Sequence, residues 1–350
     1  MKSCDCAGIN ITWQCTSSCV HCFYRFTDEL HTDYHIPLKD LYKEIDYAKT
    51  RGCNRVILIG YGEPLCHPFI NEIIHYCTQT NIGSSIITNG SFPIQKYLSL
   101  YWEGLNHLNI SAHAIEEDLN TIMERRDIGN KQTILMKHLR KEGLPFRTNI
   151  TLQQLNYKEL PNIVTELINR GSSYISLLNF LPHYHWQAPN LSSSIVVHPK
   201  LLKDFVETSI KILLTNHKLF TLRYFPMCYL NPKYWRYICN ARTVIYDPYE
   251  WEYNNCGKSE DEIKKASIEM GNSVGILDKP CCECLLFEHC GGWNRYYAQI
   301  FNDINLKAIT VIPEEYKEII NNFGGLFMLN PANSTTGMFK KGNNLCQNTQ

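Results

Sequence analysis

The chain carries no charge surplus. Lys+Arg and Asp+Glu each number 34, so the formal net charge is zero. No basic excess points to nucleic acid, and no charge block reads as a solvated tail. There is no apolar run of about 18 or more residues, so no membrane span is expected. The first residues, Met-Lys-Ser-Cys-Asp-Cys, hold no hydrophobic signal core. Cysteines number 16 among 350 residues, short of the roughly 8–10% that marks a secreted disulfide scaffold. A soluble, reducing, cytoplasmic setting is therefore expected, where thiols bind metal more often than they pair. The hydrophobic fraction of 44% suits a globular protein with a sizeable core, and the length suits one large domain plus a smaller one.

What the chain does contain is concentrated in short stretches. The first is Cys15-Thr-Ser-Ser-Cys19-Val-His-Cys22, expected on a loop after an apolar strand at Ile9–Trp13. Thiolates this close can converge on one small inorganic centre. Three rather than four would leave one iron of a [4Fe–4S] cluster open, as a catalytic zinc keeps an open position. A structural zinc knuckle or buried thiols are the competing readings. Cys4 and Cys6 are expected to be incidental. Next, the run Arg55-Val-Ile-Leu-Ile suits a strand covered on both faces and ends in Gly60-Tyr-Gly-Glu63-Pro64. The strand from Gly83 ends in Thr88-Asn89-Gly90, and the one from His107 ends in Ser111-Ala-His113. Strands at Phe146–Leu152 and Tyr174–Phe180 follow, with helical spacing between them, for instance Leu160, Ile163, Val164 and Leu167. Six β–α alternations imply a parallel sheet with helical crossovers. Four polar stretches each end a successive strand, so in a parallel barrel they share the face where active sites sit. The predicted fold is a partial parallel (β/α)6 TIM-like barrel with a small cysteine-rich C-terminal domain.

Together these stretches resemble the signature of the radical S-adenosylmethionine (radical SAM) enzymes, over roughly residues 8–180. The resemblance implies a [4Fe–4S] cluster on Cys15, Cys19 and Cys22, its open iron chelated by SAM. His21 stands where the family usually carries an aromatic ring near the adenine. Gly60–Pro64 looks like the family's Gly-Gly-Glu-Pro turn, with Tyr61 replacing the first glycine of the pair. Gly62 and Glu63 would then receive the amino group of SAM, glycine allowing close approach of backbone to the ligand. Asn89 would lie near the cluster and the nucleoside, and Ser111 near the ribose and carboxylate. His113 stands where an aspartate is frequent. One of Arg125 and Arg126 could grip the SAM carboxylate bidentately, and Arg126 is the one assigned. The implied chemistry is one-electron cleavage of SAM to methionine and a 5′-deoxyadenosyl radical, which takes a hydrogen atom from the substrate. An electron donor such as flavodoxin or ferredoxin is implied. Cys53 and Cys77 read as core thiols and Cys66 as a packing residue. The aromatic stretch Leu181–Pro189 reads as a substrate-contacting loop.

From about Phe225 the composition changes, and seven cysteines fall between Cys228 and Cys290. Cys281-x2-Cys284-x5-Cys290-Gly-Gly-Trp-Asn294 resembles the C-terminal extension called SPASM or its shorter relative, twitch. Cys239 and Cys256 match its earlier pair, with a hairpin expected at Tyr246–Tyr253. Asn294 stands where a full SPASM domain has a further cysteine, and Trp251 where it has a glycine. One auxiliary iron–sulfur cluster is expected, with Cys239, Cys256, Cys281 and Cys284 the first choice of ligands. Zinc shares thiolate ligands and stays an alternative. The expected division is 1–225 for the core barrel, 226–300 for the auxiliary domain and 301–350 for a C-terminal helix and loose tail. The resemblance points to a peptide or small-molecule substrate. Peptide modification by crosslinking, oxidation or epimerisation is favoured, although no leader-binding domain is expected before the first strand. A thiol such as Cys228, Cys282 or Cys346 would return the hydrogen atom if the product were an epimer.

Overall fold

The computed structural model describes residues 6–22, 32–50, 52–123, 125, 127–180, 194–239 and 307–321, with scattered positions between 275 and 301. Eight strands form one sheet in chain order: β1 (Cys6–Asn10), β2 (Arg55–Ile59), β3 (Gly83–Thr88), β4 (His107–Ser111), β5 (Phe146–Leu152), β6 (Tyr174–Asn179), β7 (Leu219–Arg223) and β8 (Ile238–Cys239). Every neighbouring pair is parallel. Helices α1 (Leu38–Thr50), α2 (Ile70–Gln79), α3 (Ile94–Trp102), α4 (Glu117–Ile122), α5 (Ile128–Lys141), α6 (Leu160–Asn169) and α7 (Pro199–Thr215) supply the crossovers. The sheet curls into a partial barrel, as the alternation of strand and helix patterns predicts.

The apolar spacing explains the packing. Ile70, Ile73, Ile74 and Cys77 of α2 are buried, as are Leu160, Ile163, Val164 and Leu167 of α6 and Leu202, Val206, Ile210 and Leu213 of α7. Each set forms one stripe of a 3.6-residue helix, and that stripe faces the sheet. Burial of each such Leu or Ile contributes about 1.5–3 kcal/mol. Strand β1 is buried along its whole length, as a strand covered on both faces must be. Cys53 and Cys77 are core residues, as their spacing suggests. No helix among the described residues is long and apolar enough to cross a membrane.

Two expectations differ from the structure. The first strand is Cys6–Asn10, not Ile9–Trp13. Ile11 N–H still donates to Ile59 O at 2.9 Å, but Trp13 N–H donates to Tyr34 O at 3.0 Å and Ile36 N–H to Ile11 O at 3.0 Å. The apolar run therefore changes partner half-way, leaving the sheet for the segment before α1. Cys6, buried in β1 and aligned with Arg55, lies at the strand end opposite the cysteine loop. The sheet also goes beyond six strands, because β7 and the two-residue β8 extend it past β6.

Candidate active site at the strand ends

The cysteine loop leaves β1 through Thr12–Gln14 and is held by the glycine turn after β2. Gly62 N–H donates to Thr12 O at 3.1 Å and Glu63 N–H to Gln14 O at 2.7 Å. A Cβ on Gly62 would sit 2.0 Å from Gln14 O. This glycine is needed for approach of the chain to its own backbone, where the sequence alone suggests approach to a ligand. Tyr61 replaces the expected glycine without disturbing the turn. Its ring packs edge-on against Trp13, centroids 4.7 Å apart, and Trp13 meets Tyr34 in the same way at 5.0 Å.

Glu63 clasps β2 to β3. Its side chain is 2% exposed. Oε1 accepts from Thr88 Oγ1 at 2.6 Å and from Leu65 N–H at 3.3 Å, and Oε2 accepts from Asn89 N–H at 2.6 Å. Burial pushes its pKa up to about 7, against the pull of these donors and of Arg125. A carboxylate offers about four acceptor positions, so three partners leave room for one more donor. Asn89 then ties β3 to the cysteine loop. Its Nδ2 donates to Thr16 Oγ1 at 2.9 Å, and Thr16 Oγ1 lies 2.7 Å from Ser91 Oγ. Gly90 is at φ +77°, a conformation that suits glycine at this strand end.

Two residues link β4 to this rim: Gln132, which sequence reasoning missed, and Arg125, which it named beside Arg126 without assigning it. Gln132 on α5 is buried and donates through Nε2 to both Asn89 O (2.7 Å) and Ser111 O (2.9 Å). Arg125 is 1% exposed. Its guanidinium donates to Ser111 O at 2.6 Å, to Asn120 Oδ1 at 3.1 Å and to the Cys19 sulfur. Burial lowers its pKa, while Cys19 and Cys15 favour its charged form. Arg125 is thus the arginine at the cysteine loop, and Arg126 lies outside the described residues. The Arg125-Arg126 dipeptide carries no periodicity that separates the two. For Gln132, the signal was only its place among the inward positions of α5.

On the loop, Cys22 N–H donates to Cys19 O at 2.9 Å and closes a turn. Ser17 N–H donates to the Cys15 sulfur, although burial still drives that thiol well above its usual range. His21 is buried, 4.4 Å edge-to-face from His113, and its Nδ1 lies 2.9 Å from the Gln153 amide nitrogen. His113 Nδ1 accepts from Thr151 N–H at 2.9 Å. Burial, His21 and Arg125 hold the His113 pKa well below the usual histidine range, so it stands neutral. Cys66, half-buried, is pushed up to about 12 by burial and Glu63.

Residues 9–167 match the family model described as the radical SAM superfamily. Among curated proteins, the chain is 27% identical over 169 residues to the S-adenosylmethionine-dependent nucleotide dehydratase RSAD2 of Oncorhynchus mykiss, covering 45% of this chain and 47% of that one. It is 29% identical over 123 residues to the GTP 3',8-cyclase of Clostridium acetobutylicum, covering 34% and 38%. The chain thus spans about half the length, or less, of these curated relatives. Residues 9–167 thus resemble a radical SAM domain.

The fold likeness reaches further than this domain. The structure of anSMEcpe with bound AdoMet aligns over 96% of both chains with a TM-score of 0.60 at 14% identity. Streptococcus suis SuiB aligns over 62% of this chain and 49% of its own with a TM-score of 0.52 at 18% identity. At these identities the likeness is one of fold.

The radical SAM family implies a [4Fe–4S] cluster and SAM, and the rim suits both. Its donor set is three thiols on one tight loop, with a buried cation on Cys19 and a buried carboxylate behind. Arg125 Nε and Gln153 Oε1 are buried without a hydrogen-bond partner among the described residues. Among those residues, no three His, Cys, Asp or Glu side chains are drawn together tightly enough for a single metal ion. A cluster takes each thiolate on a different iron and so accepts wider spacing than one ion does. In the second cysteine field, Cys281, Cys284 and Cys290 are described, as is the backbone of Cys239 at the end of β8. Cys256, Cys282, Cys346, the hairpin at 246–253 and the loop at 181–189 lie outside the described residues.

Proposed function

We propose that this chain is a radical SAM enzyme that cleaves SAM reductively and abstracts a hydrogen atom from a peptide substrate. The observation that carries this reading is the single hydrogen-bonded rim joining the cysteine loop, Glu63, Asn89 and the end of β4. A [4Fe–4S] cluster, when bound, supplies the electron that breaks the carbon–sulfur bond of SAM. Cys15, Cys19 and Cys22 would hold it, and Arg125 stabilises negative charge on Cys19. Glu63, with one acceptor position left, suits the amino group of SAM. Ser111, at the end of β4, is the residue we assign to the ribose and carboxylate, with Arg125 replacing Arg126 as the carboxylate's arginine. His21 and Gln153 form a buried wall suited to the adenine, where an amide can both donate and accept. Such a site accelerates the reaction by fixing the substrate carbon and excluding water.

A peptide substrate is supported by the neighbour that aligns along nearly the whole chain: anSMEcpe with bound AdoMet and the Cp18Cys peptide covers 95% of this chain with a TM-score of 0.59. A second reading, a nucleotide or other small molecule, is favoured by the names of the curated relatives. We further assign an auxiliary iron–sulfur cluster to the cysteine field after residue 226, and flavodoxin or ferredoxin as the electron source. Anaerobic incubation with SAM and dithionite should release 5′-deoxyadenosine, and Cys19→Ala should reduce it to background. Deuterium-labelled peptide and nucleotide fractions are then offered separately. Deuterium entering 5′-deoxyadenosine from peptides supports the reading; transfer only from nucleotides overturns the peptide assignment.

A further inference from the structure

Beyond β7 the chain brings four cysteines from two segments together, Cys228 from one and Cys281, Cys284 and Cys290 from the other. Cys228 lies in the turn Met227–Tyr229, far in sequence from Cys281, Cys284 and Cys290. Cys228 and Cys281 pack on the same buried patch of Phe180, Val196 and Tyr297. Tyr297 fixes that patch to the end of β6, donating its hydroxyl to Phe180 O. The sulfur of Cys290 accepts from the N–H of Met227, the residue before Cys228, at 3.5 Å. One extended segment serves two more sulfurs: Ile309 N–H donates to Cys284 at 3.3 Å, and Lys307 N–H donates to Cys228. That segment is pinned to the cysteine turn by Leu285 N–H to Ile309 O at 2.8 Å. Cys284 N–H to Cys281 O (3.1 Å) and Cys290 N–H to Leu286 O (2.8 Å) shape the turn itself. Backbone N–H groups aimed at sulfur are what an iron–sulfur cluster uses to steady its thiolates and set its potential.

We propose that Cys228, Cys281, Cys284 and Cys290 are the four ligands of one [4Fe–4S] cluster at the ends of β6 and β7. This rests on the reading that the second cysteine field holds an auxiliary cluster. It keeps Cys281 and Cys284 of the set that spacing suggests and replaces Cys239 and Cys256 with Cys290 and Cys228. Burial pushes the Cys228 thiol up to about 12, with the other three cysteines adding to it. A lone buried thiol would stay protonated there; a bound metal would make it a thiolate. As a ligand, Cys228 is unsuited to return a hydrogen atom to substrate, which leaves Cys282 and Cys346 for that role.

The test removes the first cluster so that the second is read alone. The full chain carrying Ala at positions 15, 19 and 22 is reconstituted anaerobically with iron and sulfide. It should hold about four irons per chain and give a reduced-cluster electron paramagnetic resonance signal. Adding Cys228→Ala or Cys290→Ala should cut iron at least fourfold with circular dichroism unchanged. Adding Cys228→Ser, which offers an oxygen ligand, should shift the signal. Adding Cys239→Ala or Cys256→Ala should leave iron and signal as they were. Absence of iron from the parent, or zinc in its place, would refute the auxiliary cluster itself. Loss of iron on Cys239→Ala but not on Cys228→Ala would refute this ligand set and leave the cluster standing.

Discussion

The two cysteine fields differ in what reaches their sulfurs. In the first, three thiols lie on one loop, and side chains join the backbone donors of Gly62, Glu63 and Ser17 in holding it: Asn89 through Thr16, and Arg125 on Cys19. In the second, Cys228 joins a stretch some fifty residues later that carries Cys281, Cys284 and Cys290, and backbone N–H groups of Met227, Lys307 and Ile309 reach Cys290, Cys228 and Cys284. Side chains can be arranged to leave one side of a site open, and an open side is what a centre that receives a ligand requires. Backbone donors closing on three of the four thiols suit a centre that only stores or passes charge. On the proposed function, the difference is that between a reacting site and a supporting one, built from the same residue type.

Four substitutions would break or sharpen that contrast. The largest effect is expected at Gly62→Ala, because the added carbon meets Gln14 backbone that cannot move without disrupting Thr12–Gln14. It should cost about 3 kcal/mol of stability in urea denaturation and deplete iron from the first field while sparing the second. An unchanged midpoint would show that the turn has slack that the close approach denies.

Arg125→Ala comes next. It takes a donor from Ser111 O and Asn120 Oδ1 and a cation from Cys19. A loss of about 2 kcal/mol is expected from the buried groups left short of a partner, with weaker SAM binding by calorimetry. Arg126→Ala should weaken binding less. Equal or larger weakening at Arg126 would restore the assignment made from sequence.

The smallest effect is a slope. Burial raises Glu63 from its ordinary 4.5 to about 7, so the folded chain holds this proton more tightly than the unfolded one. Its contribution to stability is full below about pH 4.5 and is lost as pH rises through about 7. Glu63→Gln should flatten the fall of melting temperature between those values. The same shift means that binding an ammonium group beside Glu63 releases a proton below about pH 7, so SAM affinity should rise with pH there in the wild type only. A wild-type profile identical to that of the variant would remove Glu63 from the binding site.

Much of the first field was legible in the sequence because its parts are local. A three-cysteine loop, a Gly-containing turn and a Thr-Asn-Gly end each occupy a few consecutive residues, and strand periodicity places each at the end of a strand. Gln132 and Arg125 were not legible in that way. Their roles arise from reaching across to Asn89 and Ser111, and no spacing records that Arg125 turns inward. Nor did the sequence signal that the missing side chain of Gly62 makes room for Gln14.

By itself the sequence determined the alternating strands and helices, the parallel sheet, and the three thiols that stand together wherever the chain goes, since neighbours in sequence are neighbours in space. Only the tertiary structure decided that Cys228 joins Cys281, Cys284 and Cys290, and that Arg125 serves Cys19. Contacts between distant segments depend on how helices pack on a sheet, and that packing is fixed by the sum of many buried side chains rather than by any stretch of residues read in order.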